Sequence, residues 1–289
     1  MKTCLTLFLS LLTSYCYCQV INIEAHKKNI VVLGYINKDA PTFVGTGFLV
    51  EIESILHLVT AKHVVTFQGP KGELTNQFND KNLFAFFNTK NGRIKYKSIS
   101  EMKNRDHLKW LTANDSLVDI AILPFDTDTI TDDLRTIPQS SFLGTNRLFE
   151  TYDIYFVSYH PDLVRPDDFN PIFRSGNISR INKDKTILLD AFAFPGNSGS
   201  PVFLKSSSIR FDSKVMYLGG DPLGDKFIGI IGAYIPYDDI AISVQTQKPR
   251  VVFQENSGIA VIWSIDFIND IINGEKSKEQ IKYIKKSLK

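Results

Sequence analysis

The feature that most constrains this chain is a succession of short runs rich in Val, Ile, Phe and Tyr, with Gly, Asn, Asp and Pro between them. β-branched and aromatic residues suit a pleated, half-buried surface, and the intervening residues supply turns. In the first half the runs are Ile30 to Ile36, Thr46 to Ile52, Ile55 to Ala61, Leu83 to Asn88, Arg93 to Ile99 and Asp119 to Phe125. A second set follows at Asp153 to Tyr159, Ile172 to Arg180, Thr186 to Phe192, Pro201 to Leu204, Phe227 to Tyr234 and Gly258 to Trp263. Strands in that number, without a strong helical period between them, predict an all-β chain of barrels or sandwiches rather than an alternating α/β fold.

Residues 127–150 are polar and turn-rich, and they read as the crossing between two β lobes. The expected division is a leader at 1–18, a first lobe at 19–135, a second at 136–273 and a basic tail at 274–289. Near the end, Ser264 stands where a helix cap belongs, with Phe267, Ile268, Ile271 and Ile272 on one face. The tail carries six lysines and two glutamates. Such an end is usually solvated and frayed; contact with anionic lipid or cell-wall polymer is the other reading. A chain of 289 residues, 43% of them hydrophobic, can bury a sizeable core. Its formal net charge of +2 and 22% charged content point neither to disorder nor to a nucleic-acid partner.

The N-terminus has the layout of a secretory signal peptide: Met1-Lys2, an apolar stretch over residues 3–15, then Cys16-Tyr17-Cys18 before Gln19. Cleavage is expected after Cys18, leaving no stable membrane span and an exported protein, periplasmic or extracellular. An uncleaved anchor and a lipoprotein acylated at Cys16 or Cys18 are the alternatives. The three cysteines, Cys4, Cys16 and Cys18, all fall in this leader. The mature chain is therefore expected to have no disulfide framework, no thiolate nucleophile and no cysteine-ligated metal site; no metal and no cofactor are expected.

Three segments carry chemistry. In Pro195-Gly196-Asn197-Ser198-Gly199-Ser200-Pro201 the glycines let the backbone curl so that N–H groups converge on one small space. A serine hydroxyl there is a nucleophile if a base removes its proton and donors receive the oxyanion. Gly196 and Ser198 are the natural donors. By itself the same sequence is also an ordinary β-turn. His63 follows an apolar strand and small residues in Thr60-Ala61-Lys62-His63-Val64-Val65. An imidazole at a strand end projects into a cleft or lies on the surface, and its ordinary pKa suits a general base. Asp119 opens the apolar run Asp119-Ile120-Ala121-Ile122-Leu123. Burying its carboxylate is costly without a partner, which an imidazolium would supply; facing solvent, it needs none. There is no His-Glu-x-x-His helix, which argues against a metal-dependent hydrolase.

Together the segments run in the order His, Asp, Ser, which separates them from the subtilisin and α/β-hydrolase orders. On GTGFLV (45–50), LVTAKHVV (58–65), DIAIL (119–123) and GNSGSPVF (196–203), the chain resembles the trypsin-like, chymotrypsin-fold serine peptidases. SGNISRI (175–181) and SGIAVIWS (257–264) are weaker matches. It is most similar to the bacterial high-temperature-requirement branch, without that branch's C-terminal recognition domain. The resemblance implies two perpendicular six-stranded antiparallel barrels, a C-terminal helix, and an active site between the barrels acting on polypeptide substrates. It implies Ser198 as nucleophile, His63 as general base, Asp119 as the group orienting it, and the N–H groups of Gly196 and Ser198 as oxyanion hole. It implies a primary pocket near Phe192, Ala193, Gly232, Ala233, Tyr234 and Gly258. No acid stands at Phe192, so an apolar pocket is expected. Ser200 departs from the family's usual glycine and would add a side chain beside the site. The long insertion Lys205 to Lys226 would shape access. A catalytically inactive, peptide-binding version of the same fold is the alternative function. Oligomeric state has no signal here.

Overall fold

The computed structural model describes residues 23–37, 40–70, 73–164, 169–212, 215–218 and 221–287. The expected leader, with its three cysteines, lies outside these residues. No described helix is long and apolar enough to cross a membrane.

The first lobe contains β1 (Ile30–Asn37), β2 (Ala40–Ile52), β3 (Ile55–Thr60), β4 (Thr66–Gln68), β5 (Leu74–Phe78), β6 (Leu83–Asn88), β7 (Ile94–Ser98), β8 (Ala121–Pro124) and β9 (Ile137–Pro138). The second contains β10 (Asp153–Ser158), β11 (Ile172–Ile181), β12 (Thr186–Asp190), β13 (Pro201–Leu204), β14 (Ile209–Asp212), β15 (Val215–Leu218), β16 (Phe227–Ile242) and β17 (Pro249–Ser264). In the second lobe six strands close into a barrel in the order β10-β11-β12-β17-β16-β13. The first lobe is a sheet in the order β7-β6-β1-β2-β3-β8, with β9 running parallel to β2.

One closed barrel is therefore present, and the first lobe departs from the expected second one: its end strands β7 and β8 do not pair. The reason lies in the chain between them. Helix Ile99–Asp106 and the loop after it send Ile99, Met102, Leu108 and Trp110 into the core that β1, β3 and β8 also face. Leu111 then makes a single antiparallel bridge to Ile122 on β8. Side chains fill the gap that ladder hydrogen bonds would have closed.

The strands at the centre of the molecule, among them β3, β8, β10 and β13, are buried on both faces, which explains why their sequences are nearly continuous apolar runs. Successive side chains point to opposite faces of a strand. On β1, Val31 and Leu33 enter the first lobe's interior while Ile30 and Val32 face the second lobe. On β8, Ala121 and Leu123 point inward and Ile122 outward. On β10, Ile154 and Phe156 fill the barrel, and Tyr155 and Val157 meet the first lobe. The outward-facing residues merge into one apolar cluster spanning both lobes, with Phe48 against Phe227 at a centroid distance of 5.1 Å.

Two expectations about the C-terminus change. Residues 265–272 do form a helix with Ser264 at the capping position, but the buried Ser264 hydroxyl has no hydrogen-bond partner among the described residues. The lysine-rich end is not a frayed tail: Glu275–Ser287 is a helix lying on the first lobe. Ile281 is buried, and Gln280 both accepts from the Lys109 N–H and donates to the Lys109 carbonyl. Apolar residues spaced for one helical face decide the outcome over net charge.

Candidate active site

His63 belongs to the short helix Lys62–Val65 that follows β3, and Asp119 lies just before β8. β3 and β8 are paired, with Thr60 opposite Ala121, so the two residues are brought side by side by ladder register. Asp119 is 6% exposed, and its carboxylate is matched by one residue. Oδ1 accepts from the His63 backbone N–H at 2.8 Å, and Oδ2 pairs with His63 Nδ1 at 2.7 Å. These bonds offset the cost of burying a carboxylate and fix the imidazole with Nε2 as its remaining nitrogen.

Ser198 sits on the turn between β12 and β13 in the second lobe. Gly196 and Gly199 have φ of 94° and 84°, a region open chiefly to glycine. A Cβ on Gly199 would come within 2.1 Å of the Thr46 carbonyl oxygen, so glycine is also required for the lobes to approach. Asn197 is fully buried and staples the turn: its Oδ1 accepts from Phe194 N–H, and its Nδ2 donates to Ser158 Oγ and the Tyr159 carbonyl. Thr46 ties this turn to the first lobe. Its N–H donates to the Ser198 carbonyl at 2.9 Å and its Oγ1 to the Gly196 carbonyl at 2.8 Å, while its own carbonyl accepts from Thr60 Oγ1.

His63, Asp119, Gly196 and Ser198 all line one cavity of about 550 Å³ between the lobes. Neither the Gly196 nor the Ser198 N–H has a protein partner among the described residues. No hydrogen bond joins Ser198 Oγ to His63 there. A cavity of similar size lies between residues 111–118 and helix Ile265–Ile272, but it holds none of these groups.

Of the pocket residues expected, Ala193, Gly232, Ala233 and Tyr234 line this cavity. Phe192 and Gly258 do not. Phe192 is 54% exposed, stacks on Phe194 and covers Gly258 from outside. Sequence reasoning missed Val261 and Trp263, which complete the apolar wall. The alternation of β17 was the available signal: Ala260 and Ile262 fill the barrel, so Val261 and Trp263 face away from it. Trp263 lies against Gly232, where a Cβ would meet indole Nε1 at 2.6 Å. Ser200 is fully buried, its Oγ has no partner among the described residues, and it does not line the cavity, so its side chain adds nothing to the cleft. The described residues of the Lys205 to Lys226 insertion do not line it either; β14 and β15 form a separate antiparallel pair, and Arg210 and Asp221 make a buried ion pair at 2.6 Å beside it.

Beside the catalytic candidates, Lys62 is buried and donates from Nζ to the Ser116 carbonyl at 3.2 Å, in the loop leading to Asp119. Burial lowers its pKa, and the nearby Asp119 and Asp115 carboxylates oppose that shift.

A family model described as a trypsin-like peptidase domain matches residues 45–209. Comparison with curated proteins gives no match. Among solved structures, the serine endoprotease from Yersinia pestis is similar, with a TM-score of 0.47 and 16% identity. The match covers 90% of this chain and 66% of that one.

Proposed function

This chain belongs to the trypsin-like peptidase domain family, and from that membership and the geometry of its cleft we propose that it is a serine endopeptidase. The observation that carries the reading is the doubly bonded His63–Asp119 pair facing a cavity that Ser198 also lines. Ser198 Oγ attacks the scissile carbonyl as His63 Nε2 takes its proton. His63 then returns that proton to the leaving amine, and water repeats the sequence on the acyl-enzyme. Asp119 holds the imidazole in one tautomer and stabilises its charged form. The Gly196 and Ser198 N–H groups receive the oxyanion. The apolar lining from Ala193, Ala233, Val261 and Trp263 favours an apolar residue before the cut bond. Export to the periplasm or beyond belongs to the same reading and rests on residues 1–18.

A fluorophosphonate probe is expected to label the purified protein, and Ser198→Ala to abolish both labelling and casein cleavage. Labelling that survives the substitution overturns the assignment. A second reading, a cleft that binds peptide without turnover, has one observation in its favour: the described structure has no Ser198–His63 hydrogen bond. Such bonds are often loose before substrate arrives. Peptide binding without probe labelling would decide for the second reading.

A further inference from the structure

Lys62, the residue before His63, is an unusual occupant of its place. It is 1% exposed and among the largest side chains that the molecule buries completely. Among the described residues its ammonium makes one hydrogen bond, to the Ser116 carbonyl at 3.2 Å, and has no carboxylate within ion-pair distance. Burying a cation so sparsely matched is costly, and an apolar side chain of the same length would fill the space without that cost. The carboxylates near enough to act on it are Asp119 and Asp115, which favour its charged form against burial. β4 and β5, which pack on the same short helix, carry no ionisable side chain.

What Lys62 holds is the turn from which Asp119 emerges. In that turn Asp115 accepts from the Leu117 N–H through Oδ1 at 2.9 Å and from the Val118 N–H through its carbonyl at 3.3 Å. Ser116 and Leu117 lie exposed on the turn, and the chain is buried again at Val118 and Asp119. One side chain therefore ties the helix that carries His63 to the turn that delivers its carboxylate, across 54 positions of sequence.

We propose that Lys62 is a positioning residue for the His63–Asp119 pair: it fixes the turn ahead of Asp119, and its positive charge biases the His63 imidazole toward the neutral form that accepts the serine proton. The inference rests on the peptidase reading of the site. A like charge nearby disfavours the imidazolium, and a buried charge is poorly screened. Asp119 pulls the other way, so Lys62 offsets part of the attraction that would keep the base protonated. Of the side chains lining the cavity only His63, Asp119 and Tyr234 can titrate, and a phenol is neutral wherever an imidazole titrates.

The test compares the parent with Lys62→Met, which keeps the length and removes the charge. Exchanging a buried charge for an apolar side chain should leave the melting temperature unchanged or raised. The acid limb of kcat/KM against pH should move up by about half a pH unit or more. On the plateau above it kcat should fall about tenfold, with KM within about twofold of the parent. Lys62→Arg, which restores the charge, should return the limb to its parental place. Lys62→Gln replaces Lys62→Met if that variant does not fold. A limb that stays put in the uncharged variant, or a plateau within about twofold of the parent, overturns the proposal. So does a limb that moves equally in Lys62→Arg. The His63 imidazole is followed in parallel by NMR, its signal identified by its loss in His63→Gln. If no form cleaves casein or takes up a fluorophosphonate, yet this titration moves upward in Lys62→Met, the peptidase reading fails and the hold of Lys62 on the pair stands. If the titration stays where it was as well, both fall.

Discussion

The first lobe leaves β7 and β8 unpaired and fills the space between them with a helix and a loop, whereas every strand of the second lobe's barrel has two neighbours. The closed barrel satisfies its own ladder. The open sheet depends on elements far away in the chain: Gln280 bonds to Lys109 and Lys285 to Glu53. Each lobe also contributes different groups to the cleft, the His63–Asp119 pair from the open sheet and the Ser198 turn from the closed barrel. A rigid support for the turn is useful, since it must hold two glycines at positive φ.

The sharpest way to probe this division of labour is Asp119→Asn. It keeps the first lobe's shape but favours the wrong imidazole tautomer, so kcat should fall by about ten-thousandfold with melting little changed. A fall under tenfold would remove Asp119 from the catalytic group and leave His63 as the first lobe's sole contribution. Next, Phe156→Ala removes a fully buried ring from inside the closed barrel. It should cost about 4 kcal/mol in urea unfolding and lower hydrogen-exchange protection across β10 to β12.

Acid should strike the open sheet through His57, which is 1% exposed and whose pKa burial lowers to about 4. The unfolded chain binds that proton near the ordinary value, so it holds more protons between pH 6.5 and 4. Stability therefore falls as pH falls through that window, by at most about 3 kcal/mol. His26, packed on Phe203 of the second lobe and also lowered to about 4, acts in the same direction. Denaturation midpoints of His57→Gln across that range should show a flatter acid limb; an unchanged slope assigns the whole loss elsewhere. The smallest effect is expected from Ile281→Ala, about 2 kcal/mol. Exchange protection should drop in β1 to β3 and hold in β10 to β12. Uniform loss would mean that the two lobes unfold as one unit despite their different construction.

Legibility in the sequence followed burial. β6 and β13 match their expected limits because both ends of each run meet turn residues. His63, Asp119 and Ser198, separated by up to 135 positions, do meet at one cavity. The outer half of the β16–β17 ribbon was missed because both its faces are exposed, so no inside–outside pattern marks it. Helix Ile99–Asp106 was not anticipated, and its first residue was taken as the end of a strand, although Ser98 and Glu101 carry a cap signature and the Ser98 hydroxyl does accept from the Glu101 N–H. Closure of the first lobe was not legible at all. Whether β7 meets β8 depends on how much volume the intervening helix occupies, and no local pattern encodes that.

Thr46 gives the cleft a mechanical property. With its amide committed to the Ser198 carbonyl and its hydroxyl to the Gly196 carbonyl, the two walls of the cleft are riveted together. Prising them apart uncurls the Gly196–Gly199 loop at the same instant. Thermal inactivation should then track loss of tertiary signal degree for degree, with no warm interval in which a loosened but still competent molecule survives.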